Sequence, residues 1–318
     1  MIFVTGATGF VGRALVARLA GDGIATRACV RRADAVMPAG VETVRMADLS
    51  AELDWSEALR SVTVVVHAAA RVHVMQDTAT DPLAEFRRVN VAGTLKLAEQ
   101  AAAAGVTRLV FVSSIKVNGE ATTRGKPFTA ADTPAPLDAY GISKMEAEQG
   151  LREIGARTGM EIVVIRPPLV YGPDVKANFQ AMMRWFDRGV PLPLGSIHNA
   201  RSLVALDNLV ALIVACLRHP AAANQTFLVS DGEDLSTTEL LRRMGRVLDR
   251  PARLLPLPAS LIGLAASVLG KPAIAQRLCG SLQLDISKTT ELLDWNPPLS
   301  VEEGLRKAAR GYRSEASI

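Results

Sequence analysis

At 318 residues the chain is long enough to bury a sizeable core, and its 49% apolar content fits an α/β protein. The net charge of +4 comes from scattered arginines, which argues against a nucleic-acid stripe and suits an anionic nucleotide ligand. Cys29, Cys216 and Cys279 match no disulfide or zinc framework, so reduced thiols in a cytoplasmic chain and no metal are expected.

Met1 leads straight into an apolar run at residues 2–5, with no secretory signal ahead of it. The turn Gly6-Ala7-Thr8-Gly9-Phe10-Val11-Gly12 follows, and the periodicity of 12–20 predicts a helix. Strand, glycine-rich turn and helix in that order suit a dinucleotide pyrophosphate. Gly6 permits the tight turn, Gly9 lets the backbone approach the phosphates, and Gly12 allows close helix packing. The helix start adds free N–H groups and a positive dipole end.

Further strands are predicted at 26–30, 42–45, 62–67, 108–113, 161–166 and 225–229, with long helices at 82–104 and 139–158. Such alternation implies α/β architecture, a Rossmann-type doubly wound parallel sheet covered on both faces. Residues 167–195 and the chain beyond Asp231 break the pattern. The expected division is a dinucleotide-binding domain over 1–166, with 200–230 returning to it, and a smaller substrate-binding lobe from 167–199 and 231–318. The apolar run 254–269 is interrupted by Pro256 and Pro258 and too short for a transmembrane segment. It reads as a buried or interface helix, with membrane-surface contact as the alternative.

The second strand ends Cys29-Val30-Arg31-Arg32, with arginine where an NAD-binding acid would stand. Arginine accommodates the 2′-phosphate of NADP, so NADP(H) is favoured and NAD(H) remains possible. Tyr140 and Lys144 are spaced to share one helix face, downstream of Ser113-Ser114 at a strand end. A cation beside a phenol favours the phenolate, so the tyrosine pKa is expected to fall below its usual value of about 10. The hydroxyl then serves as a general acid or base.

The GxxGxxG turn and YxxxK pair resemble those of the extended short-chain dehydrogenase/reductases, specifically the NAD-dependent epimerase/dehydratase family. So do Asp48-Leu49, His67-Ala68-Ala69-Ala70, Asn90-Val91-Ala92-Gly93-Thr94, the Arg166–Pro173 segment and Asp285-Ile286-Ser287-Lys288. The resemblance covers nearly the whole length. It implies Ser114, Tyr140 and Lys144 as the catalytic set, with Ser113 the alternative if the strand register slips by one. Tyr140 would exchange a proton with a sugar oxygen and Lys144 would hold the nicotinamide ribose. Cofactor contacts are implied at Gly6, Thr8, Gly9, Phe10, Val11, Gly12, Arg31, Arg32, Asp48, Leu49, Ala68, Ala69, Ala70, Asn90, Tyr140, Lys144 and Pro167. Asp48 would face the adenine, and Asn90 would order backbone near the cofactor. For the diphosphate and uracil of a UDP-sugar, the resemblance implies Asn178, Phe179, Leu192, Arg201 and Arg277. Arginine suits phosphate because its fork binds bidentately.

Residues 69–75 with 113–120 resemble bacterial reductases acting on UDP-4-keto-6-deoxy-N-acetylhexosamines in O-antigen synthesis, placing His73 and Lys116 near the hexose. The favoured expectation is therefore NAD(P)H-dependent reduction of such a 4-keto group, with quinovo or fuco product undecided. A UDP-hexose 4-epimerase holding NAD tightly, a non-catalytic NADP-sensing regulator and a reductase of non-sugar ketones are the alternatives. Ile115-Lys116, where dehydratases carry Asp-Glu, argues against dehydration. A homodimer built on helices 82–104 and 139–158 is implied by the resemblance alone.

Overall fold

In the computed structural model, which describes residues 1–72, 81–175, 178–187 and 189–316, the fold is governed by short strands of apolar residues. These are β1 (Ile2–Thr5), β2 (Thr26–Val30), β3 (Glu42–Arg45), β4 (Val64–His67), β5 (Arg108–Val112), β6 (Glu161–Arg166), β7 (Leu169–Tyr171), β8 (Arg201–Ala205), β9 (Thr226–Leu228) and β10 (Asp234–Leu235). β1 and β4 are buried at every position, as parallel strands covered on both faces must be. Seven strands form one parallel sheet in the order β3-β2-β1-β4-β5-β6-β9. The chain runs outward in one direction from β1 and in the other from β4. The crevice beyond the carboxyl ends of these neighbours is the topological switch point, where open α/β sheets bind ligands.

The helices follow as α1 (Phe10–Gly21), α2 (Pro82–Phe86), α3 (Gly93–Ala103), α4 (Ala139–Thr158), α5 (Asn178–Asp187) and α6 (Leu206–Cys216). Leu15, Val16 and Leu19 of α1 meet Leu209, Leu212 and Ile213 of α6 on one face of the sheet. Leu97 and Ala101 of α3 pack with Leu151 and Ile154 of α4 on the other. The helix expected over 82–104 is one helical run with a π-helical segment at Arg87–Ala92. That widened turn lies between α2 and α3 and buries Asn90.

A second sheet, β10-β8-β7, has no counterpart in the sequence reading; strands of two to five residues carry too little alternation to register. The remaining helices are α7 (Thr237–Val247), α8 (Ala259–Val268), α9 (Pro272–Cys279), α10 (Ser287–Leu293) and α11 (Val301–Ala316). A further core joins Tyr171, Leu203, Leu241, Met244 and Leu305 of this region. Of the buried or interface helix expected within 254–269, the buried alternative is corrected: none of the ten residues of α8 is buried. α8 packs on α9 and reaches the neighbouring core through Ile262, leaving its other apolar side chains outside. Among the described residues no helix is long and apolar enough to cross a membrane.

Candidate active site

The glycine turn closes because two of its positions exclude any side chain. Gly6 has φ +67, and a Cβ there would lie 2.7 Å from the backbone nitrogen of Ala69. At Gly12 a Cβ would lie 2.1 Å from the Gly6 carbonyl oxygen. Gly9 donates its N–H to Gly6 O at 2.8 Å and N-caps α1 with no side chain over the first turn. The first-turn N–H groups of α1 therefore have no capping side chain, and the turn fits a dinucleotide pyrophosphate. Thr8 is exposed above it, whereas Phe10 and Val11 are half-buried against the core. Ala68, Ala69 and Ala70, half-buried, continue β4 beside Gly6. Asn90 fixes the chain just beyond them: its Oδ1 accepts from Arg71 N at 2.8 Å and its Nδ2 donates to Arg71 O and Ser143 Oγ, both at 3.0 Å.

At the far end of the crevice Thr8, Arg31, Arg32, Asp34, Met46 and Asp48 line a surface cleft. Arg31 pairs with Asp48 at 2.9 Å and Arg32 with Asp34 at 2.5 Å. All four side chains are exposed, so these pairs hold weakly and exchange with solvent ions. Leu49 is buried and packs against Gly93 rather than facing the cleft.

Three elements bring Ser114, Tyr140 and Lys144 together. β5 ends at Val112, and Ser114 caps the single turn Ile115–Val117. Asp138 caps α4 by accepting from Gly141 N at 2.7 Å, which sets Tyr140 in the first turn and Lys144 one turn on. The Ser114 hydroxyl lies near enough to the Tyr140 phenol to pull its pKa down slightly. Ser113 faces elsewhere, donating to Glu148 Oε1 at 2.5 Å. Pro167 is buried, and its carbonyl accepts from Ile115 N at 3.0 Å.

The expected fall in the tyrosine pKa is corrected. Burial, with the Asp138 carboxylate adding to it, pushes the Tyr140 phenol up to about 12, against a smaller opposite pull from Ser114. Lys144 supplies no compensating field because its ammonium is buried and turned to the Val112 carbonyl at 2.8 Å, over the Phe111 ring. Desolvation lowers it to about 7, against a smaller upward pull from Glu148.

On the substrate side, Lys116 is engaged by two carboxylates, Glu120 at 3.1 Å and Asp138. Leu192 is buried in the core beside β8. Arg201, at the start of β8, donates to Gly280 O at 2.9 Å, and burial holds its guanidinium below its ordinary pKa. Arg277 is exposed on α9. His73 lies outside the described residues, as do the side chains of Asn178 and Phe179.

Two features escaped sequence reasoning. One is Asp138, whose position just before an apolar-periodic stretch was a readable N-cap signal. The other is a buried network beneath the serines: Arg166 grips Glu148 with two hydrogen bonds, at 2.6 and 2.9 Å, and donates to Asn118 at 2.9 Å. No sequence spacing signals it, because its members come from β6, α4 and the turn after β5. Among the described residues no group of side chains is arranged to hold a metal ion.

Residues 2–230 match the model of the NAD dependent epimerase/dehydratase family. The chain belongs to that family. As such it is an enzyme of the extended short-chain dehydrogenase/reductase type. Its sequence is 48% identical to a UDP-glucose 4-epimerase of Vibrio cholerae over 98% of this chain and 95% of that protein. Among solved structures it superposes on MoeE5 in complex with UDP-glucose and NAD, at TM-score 0.78 and 25% identity over 99% of both chains. The fold is also that of the Thermotoga maritima UDP-glucose 4-epimerase, at TM-score 0.78 and 21% identity over 99% of both chains.

These relatives overturn the expected 4-keto-6-deoxy-N-acetylhexosamine reductase in favour of the epimerase alternative. The reductase reading rested on short segments such as 113–120. Lys116, its basic member, is held by Asp138 and Glu120. The expected set of Ser114, Tyr140 and Lys144 could not decide, since either reaction would use the same proton exchange.

Proposed function

We propose that this chain is a UDP-hexose 4-epimerase that keeps NAD bound through its cycle. The observation that carries the reading is the 48% identity, end to end, with the Vibrio cholerae UDP-glucose 4-epimerase. When bound, NAD supplies the acceptor and donor of hydride. Tyr140, once its pKa is brought down from the value of about 12 that burial imposes here, takes the proton of the C4 hydroxyl as a phenolate while that carbon becomes a ketone, and returns it when the opposite epimer forms. Ser114, beside the phenol, shares the sugar oxygen with it. Lys144, one turn along α4, holds the ribose beside them. Gly6, Gly9 and Gly12 shape the pyrophosphate site, and Asn90 fixes the chain at Arg71.

In this reading the coenzyme is NAD, as the family description and the NAD-bound neighbour suggest, with Arg31 and Arg32 loosely paired to Asp48 and Asp34 at the adenosine end. Arg201 and Leu192 belong to the UDP side. The three cysteines are free, which supports a reducing compartment such as the cytoplasm. A homodimer through α3 and α4 completes the picture.

The test is incubation of the purified protein with UDP-glucose and no added coenzyme, followed by NMR. UDP-galactose should appear, and denaturation should release stoichiometric NAD. No interconversion, with or without added NAD, would overturn the reading.

A further inference from the structure

The helix α8 presents an apolar stripe to solvent. Leu261, Leu264 and Val268 recur at helical spacing and are 52, 64 and 80% exposed; Leu269 follows at 72%. Leu255, a few residues before the helix, and Ile274 on α9, which packs on α8, are each 49% exposed as well. Single exposed leucines need no explanation, but a contiguous group on one helix marks a contact surface.

The charge around the stripe selects its partner. From Arg250 to Leu284 the sequence holds four cations, Arg250, Arg253, Lys271 and Arg277, and no aspartate or glutamate. All four are exposed and flank α8 on both sides in the chain. Two copies paired through α8 would bring these cationic flanks together with no acidic residue of the segment to offset them. An apolar helix bracketed by exposed cations instead complements an anionic lipid surface, with side chains in the acyl boundary and cations among the headgroups.

We propose that α8, with Leu255 and Ile274, docks the enzyme peripherally onto anionic bilayers. The inference does not depend on the epimerase reading. A helix of ten residues spans about 15 Å, half of a hydrocarbon core, so it lies on the surface and does not cross it.

The test is flotation of the full chain with phosphatidylcholine vesicles, with and without phosphatidylglycerol. Co-flotation is expected with the anionic vesicles, weakened in about 0.5 M salt, where the screening length is only a few ångström. L264S/V268S should lose roughly tenfold or more in vesicle affinity while turnover in solution stays unchanged. Arg253→Gln with Lys271→Gln should weaken binding to anionic vesicles alone. No flotation with anionic vesicles, or equal flotation of the L264S/V268S variant, would overturn the proposal. So would a dimer that sediments as a monomer only in that variant, which would assign the stripe to a second copy.

Discussion

Asp138 binds Lys116 by its carboxylate while standing two residues before Tyr140, so an ion pair spanning 22 residues of chain sits beside the phenol. The carboxylate raises the phenol's pKa; the ammonium partly cancels its charge. The two partners should therefore move the pH dependence in opposite directions. Asp138→Asn keeps a capping side chain for α4, removes the negative charge, and should move the rise of kcat/KM to lower pH. Lys116→Met uncovers the carboxylate and should move it higher. Profiles of both variants check the signs, and parallel shifts would contradict the assignment of Tyr140 as the titrating base.

Tyr140→Phe removes the hydroxyl proposed to exchange the proton and leaves the ring edge-on to Phe86 at 6.0 Å. Turnover should fall roughly a hundred- to ten-thousand-fold, the range of general acid–base contributions. The glycine turn is untouched, so NAD content after purification should match wild type. A variant with ordinary turnover would remove Tyr140 from the chemistry.

His67 gives a separate prediction about acid stability. Its ring is fully buried between Thr5 Oγ1 at 2.6 Å and Thr94 Oγ1 at 2.9 Å and stacks on Phe111. Desolvation, with the Lys144 charge adding to it, lowers its pKa from 6.5 to about 3. Between those values the unfolded chain binds the proton and the folded one does not, so stability falls on acidification across that window. His67→Gln should be less stable at neutral pH but lose less between about pH 6.5 and 3. Urea denaturation over this range measures it; an unchanged slope would mean the ring carries no such linkage.

Glu148 and Arg166 are almost wholly buried, paired at 2.6 Å, with Ser113 and Asn118 satisfying further atoms. Removing one member leaves an uncompensated buried charge, so Glu148→Ala should cost about 3–5 kcal/mol. Because the network holds the turn that carries Ser114, kcat should fall as well. A loss under about 1 kcal/mol in chemical denaturation would show that water replaces the carboxylate.

The parts legible in the sequence were those whose signal is local. Helix 139–158 and strand 161–166 appear at their expected bounds, since capping, periodicity and apolar runs are read from neighbours in the chain. The sign of the Tyr140 shift was not legible. Spacing places Lys144 one turn away but does not show its ammonium turned toward Val112 O. The Arg31 argument reads one strand end, whereas the Asp48 carboxylate facing it lies beyond the neighbouring strand. Reductase and epimerase could not be separated from the trio, because one set of groups moves the same proton in both.

Gly12 and Gly21 lie on the same helix and should respond oppositely to alanine. A Cβ at Gly12 meets backbone, the Gly6 carbonyl oxygen and carbon, which cannot give way without opening the turn. Gly12→Ala should therefore lose bound NAD and stability together. At Gly21, the last residue of α1, an added Cβ meets nothing within 4 Å. Gly21→Ala should leave NAD content unchanged and raise stability by up to about 1 kcal/mol, because alanine loses less backbone entropy on folding. NAD released on denaturation and a urea midpoint, measured on both variants, make the comparison. Full NAD retention in Gly12→Ala would mean that the coenzyme does not depend on the packing of α1 against the glycine turn.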